Sequence, residues 1–240
     1  MTSHIEPDRP LRAYLDDLAE LYDDFIGVMD QDGSPPRTWL QSHLPGGRRA
    51  IDIGCGNGRN CRMIADRYDE VVGVDISARV IELAKNKDNP PNVRYETAAI
   101  QDTSPEDLGL FDAVFSTNAV FSMGRISAVL PCFRSLIAPG GRLVVIDPTR
   151  PNYRGDDPQE TRDSAYPFEV AHTIYDMSGD VEGAIAAIRF MTHPSWQEMN
   201  RNHLPLTLDQ FERAYEAVFP GVRITPNIVP TLTGAFWQAP

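Results

Sequence analysis

The chain has 240 residues, with 34 acidic residues against 22 Lys and Arg and a formal net charge of −12. That size suits one α/β core with a covering segment. Such acidity, with no local basic patch to offset it, argues against a nucleic-acid partner. No apolar run reaches the roughly 20 residues that a membrane span requires, so no membrane partner is expected. Cys55, Cys61 and Cys132 include no Cys-x-x-Cys pair and cannot build a disulfide framework. With no apolar signal stretch near Met1, a cytoplasmic location is expected. The oligomeric state stays open.

In chain order, Leu11, Tyr14, Leu15, Leu18, Leu21, Tyr22, Phe25, Ile26 and Met29 recur at steps of three and four. This spacing predicts one amphipathic helix, which "DGSPP" ends. A short helix around "TWLQSHL" follows. Then "RRAIDIG" (strand), "GRNCRMIADRY" (helix), "DEVVGVD" (strand) and "SARVIELAKN" (helix capped by Ser77) alternate. "NVRYETA" and "FDAVFST" predict a third and a fourth strand. "RISAVLPCFRSLIA" has helical period, with Pro131 either kinking it or marking the start of its main part. "PGG" turns the chain into a fifth strand, "RLVVIDP". Strands separated by helices predict a Rossmann-like, doubly wound, mostly parallel sheet with helices on both faces.

The alternation stops at Pro148. Residues 149–206 hold one predicted helix, "GDVEGAIAAIRFM", and a second stretch, "PSWQEMNRN". Thr207 then caps "TLDQFERAYEAVF", and "GVRITPNIV" and "LTGAFWQAP" predict a final antiparallel strand pair. The expected organisation is a single domain over 1–240. It comprises an N-terminal helical cap (1–48), a cofactor-binding core (49–148), a lid or insert over the acceptor site (149–206), and a last helix with its strand pair (207–240).

The turn after the first strand reads "AIDIGCGNGRN". Gly54, Gly56 and Gly58 follow a G-x-G-x-G pattern. The dinucleotide fingerprint would put its third glycine at Arg59, which disfavours a nicotinamide cofactor. Asp52 precedes the turn, Asp75 ends the second strand and Asp102 follows the third. Acids thus stand at the carboxyl ends of three successive strands, on the edge where open α/β sheets bind ligands. Asp52 suits a cationic ligand, Asp75 can accept two ribose hydroxyls, and Asp102 can accept from an exocyclic amine.

"AIDIGCGNG", "VVGVDIS", "AIQD", "FDAVFSTNAVFS" and "LIAPGGRLVVIDP" resemble the ordered motifs of class I S-adenosylmethionine-dependent methyltransferases, over about Ala50 to Pro148. The resemblance implies a seventh strand running antiparallel and S-adenosyl-L-methionine as cofactor. It implies that Gly54, Gly56 and Gly58 bed the methionine part, with Asp52 near its ammonium and Asp75 on the ribose. Ile76 would pack on the adenine, and Gln101 and Asp102 would edge it. Ser116 and Asn118, placed just after the fourth strand, would face the methionine end and the acceptor. The first helix would fold over the site with Tyr22 or Phe25 touching the cofactor, the alternative for Tyr22 being a core contact.

The implied reaction is methyl transfer to an O, N or C nucleophile of a small-molecule acceptor, such as a natural product. A dinucleotide-dependent oxidoreductase and a non-catalytic cofactor-binding module are the alternatives. His172, His193 and His203 are candidates for a general base, with His193 foremost because it adjoins Trp196. Against this stands a solvated or structural role for each. Tyr153, Tyr166, Phe168, Tyr175 and Trp196 either line the acceptor pocket or hold the lid together. Asp147 either faces the cleft or caps the next turn. No metal site is expected, since Cys55 and Cys61 lack nearby His or Cys partners.

Overall fold

A computed structural model describes residues 12–29, 32–150 and 159–240. After a 3-10 turn at Tyr14–Asp17 come α1 (Ala19–Met29), α2 (Pro35–His43), β1 (Gly47–Ile53), α3 (Arg59–Ile64), β2 (Tyr68–Asp75), α4 (Ala78–Lys85), β3 (Val93–Thr97), α5 (Pro105–Leu108) and β4 (Phe111–Thr117). They are followed by α6 (Ile126–Ser135), β5 (Ile137–Pro148), α7 (Gln159–Ser178), α8 (Val181–Met191), α9 (Pro194–Asn202), α10 (Leu208–Val218), β6 (Arg223–Val229) and β7 (Leu232–Gln238).

The strands form one seven-stranded sheet in the order β3-β2-β1-β4-β5-β7-β6. β1 to β5 are mutually parallel, and β7 runs antiparallel to both β5 and β6. The order reverses direction between β1 and β4, so the crevice beyond their carboxyl ends is the ligand position of such sheets. Both faces are covered. Ile51, Ile53, Val114, Leu143 and Val145 pack with Val129, Leu130 and Phe133 of α6 and Phe211 and Tyr215 of α10. Opposite them, Ala50, Phe115, Val144 and Ile146 pack with Leu40, Leu44, Ile64 and Ile81. This two-sided burial explains the near-continuous apolar strands. A separate cluster joins Leu18 and Phe25 to Ala171 and Ile174 of α7 and Ala187 and Phe190 of α8. It lays the N-terminal helix against the segment after β5.

Several local expectations change. The first helix is not continuous: Leu18, at φ −142°, separates the 3-10 turn from α1. The Leu18 side chain is buried there, so tertiary packing overrides helical periodicity. Leu11 lies outside the described residues. Pro131 sits inside α6 rather than at its start. "PGG" is not a turn before the fifth strand but part of it, where the register against β4 shifts between Phe111 and Ala113. The 20-residue α7 goes unpredicted, because Pro167 lies within it and proline normally argues against helix interior.

Candidate functional site

The turn from β1 into α3 is built for close approach. Gly54, Gly56 and Gly58 have φ of 75°, 52° and 76°, left-handed values that glycine adopts freely. Space demands glycine too. A Cβ at Gly54 would lie 2.5 Å from Ala119 Cβ, at Gly56 2.4 Å from the Tyr22 hydroxyl, and at Gly58 2.3 Å from the Tyr95 hydroxyl. Tyr22 therefore lies against the glycine turn, and its ring also meets Phe190 of α8 at 6.0 Å. Both expected roles of this residue are compatible with that position. Arg59 opens α3 where a dinucleotide fold would need glycine.

Asp52 sits beneath this turn, wholly buried. Its Oδ2 accepts a 3.7 Å hydrogen bond from the Cys61 thiol, and its Oδ1 has no hydrogen-bond partner. Burial pushes its pKa up to about 8; the Cys61 contact pulls it back and the Asp75 charge adds to the rise. A buried acid with an open lone pair is stabilised as a carboxylate by an incoming cation. The ammonium of an amino-acid moiety is such a cation.

Asp75, at the end of β2, accepts from Gly56 N–H through Oδ2 and from Ser77 N–H through Oδ1, both at 2.9 Å. Burial raises its pKa while these N–H donors oppose the rise. Each oxygen keeps a further lone pair, so the residue can fasten the loop and still receive ligand hydroxyls. Ile76 beside it is half-buried. Gln101 donates from Nε2 to Met123 C=O at 2.5 Å. Its Oε1 is buried without a partner, an acceptor available to an amine. Asp102 is exposed on the same 3-10 turn.

Ser116 differs from expectation. It lies within β4, fully buried, and donates to Ile53 C=O at 2.6 Å. Its hydroxyl ties β4 to β1 instead of facing a ligand. Asn118 follows β4 with φ 54°, exposed, its N–H donating to Ile146 C=O at 2.8 Å.

The three histidines occupy separate places. His193 caps α9: its Nδ1 accepts from Ser195 N–H at 3.3 Å. That fixes the proton of the neutral ring on Nε2, so the ring has no open lone pair with which to act as a base. The side chain of His172, on α7, is 75% exposed and lies 3.2 Å from Asp176. His203 is fully buried, edge-on to Tyr14 at 5.6 Å. His193, the foremost candidate, is thus not presented as a ready general base. Trp196 packs on Phe190, with ring centroids 4.5 Å apart, while Phe168 and Tyr175 are exposed. Tyr153 and the Tyr166 side chain lie outside the described residues. No metal-holding cluster occurs among the described residues.

Sequence reasoning missed three acids near the N-terminus. Asp16 accepts from Ser77 Oγ at 2.5 Å and from Arg79 N–H at 3.2 Å. Glu20 pairs with Arg79. Asp23 accepts from Asn57 Nδ2 and from Lys87 Nζ, each at 2.6 Å. Their spacing of four and three residues is a signal of one helix face, but such a face is ordinarily solvated. Here it is pinned across both loops of the site.

Residues 50–141 match the family model of a methyltransferase domain. A ubiquinone biosynthesis O-methyltransferase of Xanthomonas axonopodis pv. citri (strain 306) is 28% identical over 101 residues, covering 41% of this chain and 42% of that protein. A ribosomal protein L11 methyltransferase of Ralstonia pickettii (strain 12J) is 34% identical over 120 residues, covering 47% and 38%. The chain thus spans less than half the length of these curated relatives. The solved DhpI–SAH complex superposes with a TM-score of 0.62 at 16% identity, covering 95% of each chain. At that identity the likeness is one of fold.

Proposed function

We propose that this chain, whose residues 50–141 match a methyltransferase domain model, moves a methyl group from S-adenosyl-L-methionine to an O, N or C nucleophile of a small organic acceptor, a secondary metabolite among the candidates. The observation that carries the reading is Asp52: a fully buried acid with an unpartnered Oδ1 under a left-handed glycine turn. Neither a pyrophosphate nor an empty structural turn calls for such a group. The bound cofactor supplies an electrophilic methyl carried on a sulfonium. Asp52 would hold its ammonium, Asp75 its ribose hydroxyls, and Ile76 with Gln101 its adenine. Asp102 and Asn118 would stand at the edges of the same crevice.

The protein's own contribution is chiefly positional. Holding a nucleophile at attack distance contributes up to ~7–11 kcal/mol in favourable systems. The reading assigns that task to the cover formed by α1, α8 and α9, and does not require a histidine base. The small size of the acceptor rests on the net charge of −12, which opposes nucleic acid, and on that cover. No helix among the described residues is long and apolar enough to cross a membrane. Free Cys55 and Cys61 fit the reducing cytoplasm expected from the sequence.

The test is calorimetric titration with S-adenosylhomocysteine, followed by incubation of methyl-labelled cofactor with a metabolite library. Tight binding and a labelled product are expected. Tight binding with no product across the library would favour a non-catalytic cofactor-binding module. Absence of binding would remove the reading.

A further inference from the structure

A third buried acid, after Asp52 and Asp75, lies outside the cofactor crevice. Asp147 stands near the end of β5, 2% exposed. Burial drives its pKa up, while the backbone N–H groups of Phe121, Ala119 and Val120 donate to it and oppose that rise. Those donors leave Oδ1 without a hydrogen-bond partner. Asp147 lines a pocket walled by Val120, Phe121, Ile126, Leu206 and Phe211, with Leu204 beside it. Every other side chain lining this pocket is apolar or absent. Its volume is about 10 Å³, room for one water-sized group. Leu204, 42% exposed, follows α9 in a stretch without regular structure, and it would have to shift to admit the rest of a ligand.

We propose that this pocket anchors an ammonium group of the methyl acceptor, with Asp147 Oδ1 as its partner and the apolar walls holding the adjoining hydrocarbon. This rests on the methyltransferase reading above. A primary ammonium has the size of a water and brings the positive charge that a buried carboxylate lacks. Apolar walls favour the carbon attached to it.

The anchor is distinct from the atom that receives the methyl. Ala119 and Met123 press against Gly54, within 2.5 and 2.7 Å of where its Cβ would be. The turn that donates to Asp147 therefore stands between this pocket and the glycine cradle. The acceptor is thus an amine-bearing molecule whose reactive atom lies some way from its ammonium.

The experiment is titration of the full chain, with and without S-adenosylhomocysteine, with benzylammonium and 2-phenylethylammonium against benzyl alcohol and 2-phenylethanol. An ammonium should bind about tenfold or more tightly than its alcohol, as expected for a hydrogen bond to a charged group. Asp147→Asn should cut that preference to within about twofold, with S-adenosylhomocysteine affinity retained as evidence of folding. Leu204→Trp, at an exposed position, should block all four probes and spare the cofactor product. Equal binding of amine and alcohol, no binding of either, or an undiminished preference in Asp147→Asn overturns the anchor; the pocket then holds a water only. Cofactor binding is read separately, so failure here is distinguishable from failure of the methyltransferase reading.

Discussion

Asp16 accepts a 2.5 Å hydrogen bond from the Ser77 hydroxyl, 61 residues away in sequence. Its neighbour Asp17 accepts from Ser195 Oγ of α9 at 3.0 Å. Two adjacent acids on one 3-10 turn thus reach opposite ways, one to the loop that carries Asp75 and one to the cover. Ser77 Oγ also accepts from Val80 N–H at 3.2 Å, so its direction is fixed. Asp16→Ala should weaken S-adenosylhomocysteine binding by about three- to tenfold, the worth of one net hydrogen bond. Calorimetry reads this directly. An unchanged affinity would show that the turn does not organise the cofactor loop.

Asp75→Ala should act more strongly. Two ligand hydrogen bonds to a charged group, at about 1.5–3 kcal/mol each, amount to a loss on the order of a hundredfold or more. The same change frees Gly56 N–H and Ser77 N–H, so the melting temperature should also fall. Wild-type affinity in this variant would sink the ribose assignment.

Asp52 predicts a proton linkage. Its folded pKa of about 8 exceeds the unfolded value of about 3.9. Between those values the native state binds the extra proton, so the stability of the ligand-free protein falls as pH rises through that window. Above about 8 both states are ionised and the destabilisation is complete. Asp52→Asn should therefore gain stability relative to wild type at pH 8 compared with pH 5, as read by thermal melts. Binding of the cofactor product at pH 7 should release about one proton. Titrations in buffers of different ionisation enthalpy measure that release, and equal heats in all buffers would refute it.

His193→Ala tests whether His193 is a base. Loss of a cap costs about 1 kcal/mol, and turnover should stay within a few-fold of wild type. Loss of a general base would cost roughly 10²–10⁴-fold, and a drop of that size would restore His193 to the chemistry. His172→Ala, on an exposed side chain, should leave both stability and turnover unchanged.

The legible part of the site was the part built from contiguous residues. Gly54, Gly56 and Gly58 declare a left-handed turn because few other residues tolerate one, and Asp52 and Asp75 stand at strand ends that apolar runs mark. The cover was not legible. The α7 helix hides behind Pro167, and His193 looked like a base until its Nδ1 was found capping α9.

The sequence alone determined the alternating strands and helices, the left-handed glycine turn and the acids at the carboxyl edge, since period, turn chemistry and strand position are local properties. Only the tertiary structure decided which polar groups remain open. Ser116 is spent on Ile53 and His193 Nδ1 on Ser195 N–H, while Asp52 and Asp147 each keep an oxygen unpartnered in the interior. Whether a polar atom is satisfied depends on neighbours distant in the chain. Asp16, Glu20 and Asp23 make the same point from the other side. Their spacing suggests one helix face, but folding puts Asp16 on the 3-10 turn and Glu20 and Asp23 on α1, and sets all three against the loops that would bind the cofactor.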